Sequence, residues 1–278
     1  MCKDCGCGMG ELHQHGDGTW HSHTHEHNHD KDHSHGHDHS HEHDHSHSHS
    51  HESKHQVKTV VIDTTKAVLA KNDSIAQENR LWFLQNRILC LNFISSPGSG
   101  KTLLLEIILE KLSKKHKVAV LVGDQATHLD ADRMQNKGAK VKQINTHSSC
   151  HLDAPHIQTE LNTFVGTDTD ILIIENVGNL VCPSAFDLGE AAKVALLSCT
   201  EGEEKPVKYP VLFSQAQAVI LTKMDLVPHL RWSKEKAIQQ IRRLNAMTPI
   251  FETSAQDGLG LDELVQWIEV KLTQIKNM

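Results

Sequence analysis

The chain has 278 residues, 38% of them hydrophobic, and a formal net charge of -7, so it can bury one large core but lacks the clustered Lys and Arg that a broad grip on nucleic acid needs. It shows no charged, apolar and small-residue leader and no apolar run of about 18 residues, which points to a soluble, cytoplasmic protein with no membrane attachment. Seven cysteines in such a chain read as reduced thiolate ligands, not as a disulfide framework.

Composition divides the chain into a Cys/His-rich extension, 1–56, and a globular domain, 57–278. Cys2-x-x-Cys5-Gly-Cys7 offers soft thiolates at close spacing for Ni²⁺ or Zn²⁺. From His13 to His55, eighteen of the 24 histidines alternate with Ser, Asp and Glu and almost no aliphatic residue. Such a tract cannot offset the entropy of folding, so it is expected to be disordered without metal. Its imidazoles suit the storage of several ions, released as they protonate near pH ~6.5.

The globular domain opens with a helical lead-in at 66–85 and then alternates. Strands are predicted at 88–94, 118–122, 141–144, 171–174, 194–197, 218–221 and 249–252, and helices at 103–112, 130–137, 155–164, 233–244 and 261–272. Strand–helix alternation gives an α/β class: three layers, with a mostly parallel central sheet flanked by helices in the P-loop NTPase manner. Ligands of such sheets bind beyond the carboxyl ends of the strands.

Ser95-Ser96-Pro97-Gly98-Ser99-Gly100-Lys101-Thr102 sits between the first of these strands and its helix, the context a phosphate-binding loop requires. Gly98, Ser99 and Gly100 supply close backbone approach, Lys101 a cation for the β- and γ-phosphates, and Thr102 a hydroxyl for Mg²⁺. Ser95 takes the place of the usual first glycine. Two acids complete the set as candidate catalytic and Mg²⁺-binding groups: Glu175 at the end of the apolar run Ile171–Ile174, and Asp124 after Gly123. Val177-Gly178-Asn179 gives the loop after Glu175 room to move. Thr222-Lys223-Met224-Asp225 resembles the Asn-Lys-x-Asp element of GTP-binding proteins, with Thr222 replacing the asparagine, and Thr253-Ser254-Ala255 resembles the loop that backs the base. Lys223, Asp225, Ser254 and Ala255 therefore favour GTP.

Cys150 and His151 are adjacent, and Cys182 follows the Glu175 strand, between a glycine and a proline that predict an accessible loop. If those loops meet, three ligands leave a metal incompletely satisfied, and a two-fold dimer would bring two sets together.

The phosphate loop SSPGSGKT, the GDQ at 123–125, SCHLDA at 149–154 and ENVGNLVCP at 175–183 resemble the hydrogenase nickel-incorporation GTPases of the SIMIBI class, the HypB family. The N-terminal CxxCGC and the His tract resemble that family's metal-binding extension. The resemblance implies a GTP-dependent homodimer that hands nickel to the hydrogenase large-subunit precursor alongside another nickel-insertion accessory protein, with Cys150, His151 and Cys182 as interface ligands. The urease-accessory GTPases share the loop class but are expected to lack the CHLDA and NLVCP elements, and a nickel store with nucleotide-gated partner binding is the other alternative.

Overall fold

The computed structural model describes residues 12–14, 20–22, 64–124, 129–146 and 149–278. The expected disorder of the extension, its thiolates Cys2, Cys5 and Cys7, and Gln125 of the GDQ triplet lie outside the described residues. Within the extension, β1 (Leu12–Gln14) and β2 (Trp20–Ser22) pair antiparallel with His13 opposite His21, a pairing absent from the composition-based reading.

Seven strands form one sheet: β3 (Leu89–Ile94), β4 (Val118–Asp124), β5 (Lys140–Asn145), β6 (Ile171–Glu175), β7 (Ala192–Ser198), β8 (Ala218–Thr222) and β9 (Ile250–Glu252). Their order is β5-β4-β6-β3-β7-β8-β9 and every neighbouring pair is parallel. The chain winds outward to one side of β3 and then to the other, which makes the carboxyl end of β3 the topological switch point where such sheets bind ligands.

The helices are α1 (Thr64–Gln85), α2 (Lys101–Leu112), α3 (Leu129–Met134), α4 (Ala154–Glu160), α5 (Cys182–Ala185), α6 (Lys205–Lys208), α7 (Pro210–Gln215), α8 (Lys234–Leu244) and α9 (Leu261–Lys276). Alternation along β3 assigns the two faces. Leu89, Leu91 and Phe93 pack with Leu105 and Leu109 of α2 and Leu264 and Ile268 of α9. Cys90 joins Phe83 of α1 and Ile157 of α4 on the opposite face, and Ile94 joins Phe213 of α7 and Ile241 of α8 there.

Three differences from the sequence reading have local causes. Helix α3 ends at Met134 because Asn136 and Gly138 adopt positive φ of 67° and 84°. After Glu160 the chain widens into a π-turn at Leu161–Val165, closed by Gly166. The short helices α5, α6 and α7 were not anticipated, although each carries a proline in its first turn, where the missing N–H is harmless.

Candidate functional site

Strand β3 delivers the chain into the phosphate loop, where Gly98 and Gly100 hold φ of 72° and 89°. That left-handed region carries no Cβ penalty for glycine. The loop and the first turn of α2 wall a cavity of about 450 Å³. The buried Ser99 hydroxyl there has no hydrogen-bond partner among the described residues.

Lys101 and Glu175 are both buried, and their charged atoms stand 3.2 Å apart. Lys101 also donates to the main-chain carbonyl of Asn176. Thr102 Oγ1 donates to Glu175 Oε1 at 2.7 Å, while Glu175 Oε2 is buried with no hydrogen-bond partner among the described residues. A hydroxyl and a carboxylate oxygen at that separation match adjacent ligands of an octahedral Mg²⁺, which lie roughly 3 Å apart when each is ~2.1 Å from the ion. The orphaned Oε2 adds a hard oxygen donor, so the residues fit the ion that the loop class implies.

Asp124 ends β4 two residues beyond Val122, the register partner of Glu175. It does not line the phosphate cavity, whereas Asp130 and Arg133 of α3 do, a placement the sequence reading missed. Also missed were Glu201, which accepts from Ser96 Oγ at 2.7 Å, and Lys205, which pairs with Glu201 at 3.2 Å. Neither residue belongs to a motif, so only the fold reveals their proximity to the loop.

The candidate base-recognition elements meet the phosphate loop directly. Thr222 Oγ1 donates to the Ser99 carbonyl at 2.7 Å and Lys223 Nζ to the Gly98 carbonyl at 2.7 Å. The threonine that replaces the usual asparagine thus ties the base loop to the phosphate loop. Ser254 Oγ donates to Asp225 Oδ1 at 2.7 Å, which orients this carboxylate and leaves its second oxygen for a ligand. A separate cavity of about 250 Å³, lined by Gly100, Lys223, Asp225, Thr253 and Ala255, lies beside it.

Cys150, His151 and Cys182 converge: one ligand atom from each lies within 4.8 Å of the others. Cys150 and His151 come from the connection between β5 and α4, and Cys182 from the connection after β6. The expectation of an accessible cysteine in a loop is corrected, because Cys182 is buried and opens α5, with Pro183 in the first turn. The His151 ring stacks on Phe186 with centroids 3.9 Å apart. Burial holds its pKa below the ordinary value against the upward pull of Asp153, with His156 adding a small downward push. The neutral, ligating form is thereby favoured. Two thiolates and an imidazole suit Ni²⁺ or Zn²⁺. Cysteine as ligand does not extend to Cys90, which is fully buried on β3 with its thiol pushed well above the usual range by burial and by nearby Glu190.

The metal and nucleotide sites touch through one segment. A Cβ placed on Gly178 would sit 3.2 Å from Pro97 Cα and Cγ, so glycine lets the Glu175–Cys182 segment lie against the phosphate loop without displacing Pro97. The room to move expected at Gly178 is in this structure a close contact.

Residues 89–252 match the family described as CobW/HypB/UreG, nucleotide-binding domain. The chain is 48% identical over 202 residues to the hydrogenase maturation factor HypB of Azotobacter vinelandii, spanning 73% of this chain and 67% of that one. It is 45% identical over 219 residues to HypB of Escherichia coli K12, spanning 79% and 74%. Among solved structures, HypB from Helicobacter pylori in complex with nickel superposes with a TM-score of 0.69 at 39% identity, covering 73% of this chain and 96% of that one. HypB from Archaeoglobus fulgidus gives a TM-score of 0.69 at 34% identity, covering 73% and 100%. The phosphate loop, the candidate base loop and the Cys-His-Cys cluster lie in one α/β domain of this chain, and the chain belongs to the HypB branch of the CobW/HypB/UreG nucleotide-binding family.

Proposed function

We propose that this chain is a GTP-hydrolysing nickel metallochaperone of the cytoplasm. It stores nickel and hands it to a [NiFe]-hydrogenase large-subunit precursor, acting as a GTP-dependent homodimer with another nickel-insertion accessory protein. One observation carries the reading: Cys150, His151 and Cys182 cluster within 4.8 Å, and Cys182 rides on the segment that begins at the phosphate-site acid Glu175.

The loop backbone and Lys101 hold the triphosphate, and the start of α2 adds its positive dipole end. Mg²⁺, held by Thr102 and Glu175, would neutralise charge on the β- and γ-phosphates. Asp225, oriented by Ser254, accepts from the guanine N1 and N2 groups, and the Lys223 stem lies along the ring. Asp124 is the candidate for orienting the attacking water. Nickel is the cargo: Cys150, His151 and Cys182 supply three ligands, and a second copy across a two-fold axis completes the shell. The same donors accept Zn²⁺. Cys2, Cys5, Cys7 and the His tract form the reservoir.

Two measurements test this. GTP turnover is followed in the full chain and in Lys101→Ala; equal rates overturn the GTPase reading. Nickel is followed by the thiolate-to-nickel charge-transfer band in a full chain with Cys2, Cys5 and Cys7 replaced by serine, with and without a non-hydrolysable GTP analogue. The band should respond to nucleotide and vanish in Cys182→Ala; a band indifferent to both removes the switch.

A further inference from the structure

Asn176, the residue after Glu175, is fully buried and spends its polar groups on both sites at once. Its main-chain carbonyl accepts from the Lys101 ammonium. Its side-chain Oδ1 accepts from Leu152 N at 3.2 Å and from Val177 N at 3.0 Å. Leu152 follows His151 directly, and Val177 begins the run to Cys182. Its Nδ2 donates to Asn92 Oδ1 at 3.2 Å, and Asn92 Nδ2 donates to Glu190 Oε1 at 3.3 Å. Its N–H donates to Phe93 O at 3.1 Å, a rung that fixes it to β3.

We propose that Asn176 is the positioning residue through which Lys101 reports nucleotide occupancy to both metal-bearing segments. The chemistry is a competition for one ammonium. A β- or γ-phosphate oxygen is a stronger acceptor for Lys101 than a neutral carbonyl. When the lysine turns to the phosphate, the Asn176 carbonyl loses its charged donor, and the peptide joining Asn176 to Val177 is held only by its other bond, from Val177 N to the Asn176 side chain. The amide side chain bonds both Val177 N–H and Leu152 N–H, so a turn of that peptide alters the bonds to the Cys182 segment and to the Cys150–His151 segment together. Asn92 and Glu190 anchor the far side of the amide inside the sheet, which directs the adjustment toward the metal ligands. A residue that was merely buried and satisfied would affect stability without linking the two sites.

The inference rests on the nucleotide-linked nickel reading above, and its test separates the two. In the full chain with Cys2, Cys5 and Cys7 replaced by serine, nickel affinity at the folded site is read from the thiolate-to-nickel band, with the His tract as a constant internal competitor. The readout is the ratio of affinities with and without a non-hydrolysable GTP analogue. The parent should show a ratio of about fivefold or more, the lower end of ordinary coupling. Asn176→Ala should bring it below about twofold. Asn176→Asp keeps the acceptor for Leu152 and Val177 and should retain most of it. A full ratio in Asn176→Ala overturns the proposal. Hydrogen exchange at the Leu152 amide, measured on the metal-free parent, gives the independent arm and needs no variant to fold. Exchange that changes about tenfold on adding the analogue supports the relay even if nickel affinity is indifferent to nucleotide, in which case the metal reading alone fails. Unchanged Leu152 exchange overturns the relay.

Discussion

Gly178 lies against Pro97 so closely that an added methyl would meet the proline ring and its Cα at 3.2 Å. The nucleotide loop and the segment leading to Cys182 are therefore packed surfaces in direct contact. Interfaces this close convert small displacements into discrete rearrangements. Gly178→Ala is expected to lower GTP turnover about tenfold and stability by about 1 kcal/mol, since overpacking typically costs about 1–3 kcal/mol. Steady-state turnover and thermal unfolding check both.

Lys101→Ala removes the phosphate cation and also leaves Glu175 buried without its partner. Turnover should fall by at least about a hundredfold, and stability by about 3 kcal/mol, because breaking a buried pair strands a charge. Adding Glu175→Gln to Lys101→Ala should restore much of the stability and none of the turnover. Parallel urea unfolding and phosphate release separate the two effects.

On the proposed GTP reading, base choice rests on Asp225, which Ser254 holds by a hydrogen bond. In Asp225→Asn the carboxylate that accepts from guanine becomes an amide that can donate to the 2-oxo group of xanthine. Competition assays should show GTP affinity lost by at least about a hundredfold, and xanthosine triphosphate bound better than GTP. Ser254→Ala, which only frees the carboxylate to rotate, should weaken GTP by about fivefold, equivalent to one ordinary hydrogen bond of ~1 kcal/mol.

Asp153 caps α4, accepting from His156 N at 3.1 Å, while its Oδ1 lies 2.5 Å from His156 Nδ1. The neutral ring accepts from Asp153 N and the protonated ring donates to the carboxylate. That carboxylate raises the His156 pKa above its ordinary value, chiefly by the hydrogen bond and against burial. On Asp153, burial pushes the pKa up but is outweighed by the hydrogen bonds and charge of His156, so the net shift is down. A raised histidine contributes stability that is complete below pH ~6.5 and fades as pH rises through the folded value. The lowered carboxyl contributes above pH ~3.9 and fades as pH falls through its folded value. Asp153→Asn keeps the cap acceptor and removes the charge, so the melting-temperature gap between parent and variant should be widest near pH 5.5 and shrink by pH 8.5. A gap of constant size across that range counts against the pairing.

The seven sheet strands were legible because each buried one is a short apolar run and the sheet is covered on both faces, as at Ile171–Ile174. The phosphate loop was legible because its residue types and its place between a strand and a helix are dictated by the ligand. The convergence of Cys150, His151 and Cys182 was left conditional on two loops meeting, because β4 lies between β5 and β6 and only the sheet order brings the loops after them together. The burial of Cys182 was not legible, because Pro183 signals a helix start as readily as a loop. Asn92, Asn176 and Glu190 were silent for a different reason. A polar residue in an apolar strand does not announce its partner, which here lies 84 positions away for the pair Asn176 and Asn92. Thr222 reads in the sequence only as a replacement for an asparagine, and its bond joining two loops needed the fold to be seen.

The adjacent pair Cys150 and His151 and the distant Cys182 belong to two separate crossovers of the sheet, so the complete triad has no local counterpart in an unfolded chain. A nascent polypeptide cannot assemble that thiolate–imidazole pocket until β5, β6 and α4 have docked. On the proposed nickel reading, a damaged or half-made copy lacks this pocket and holds no ion at it.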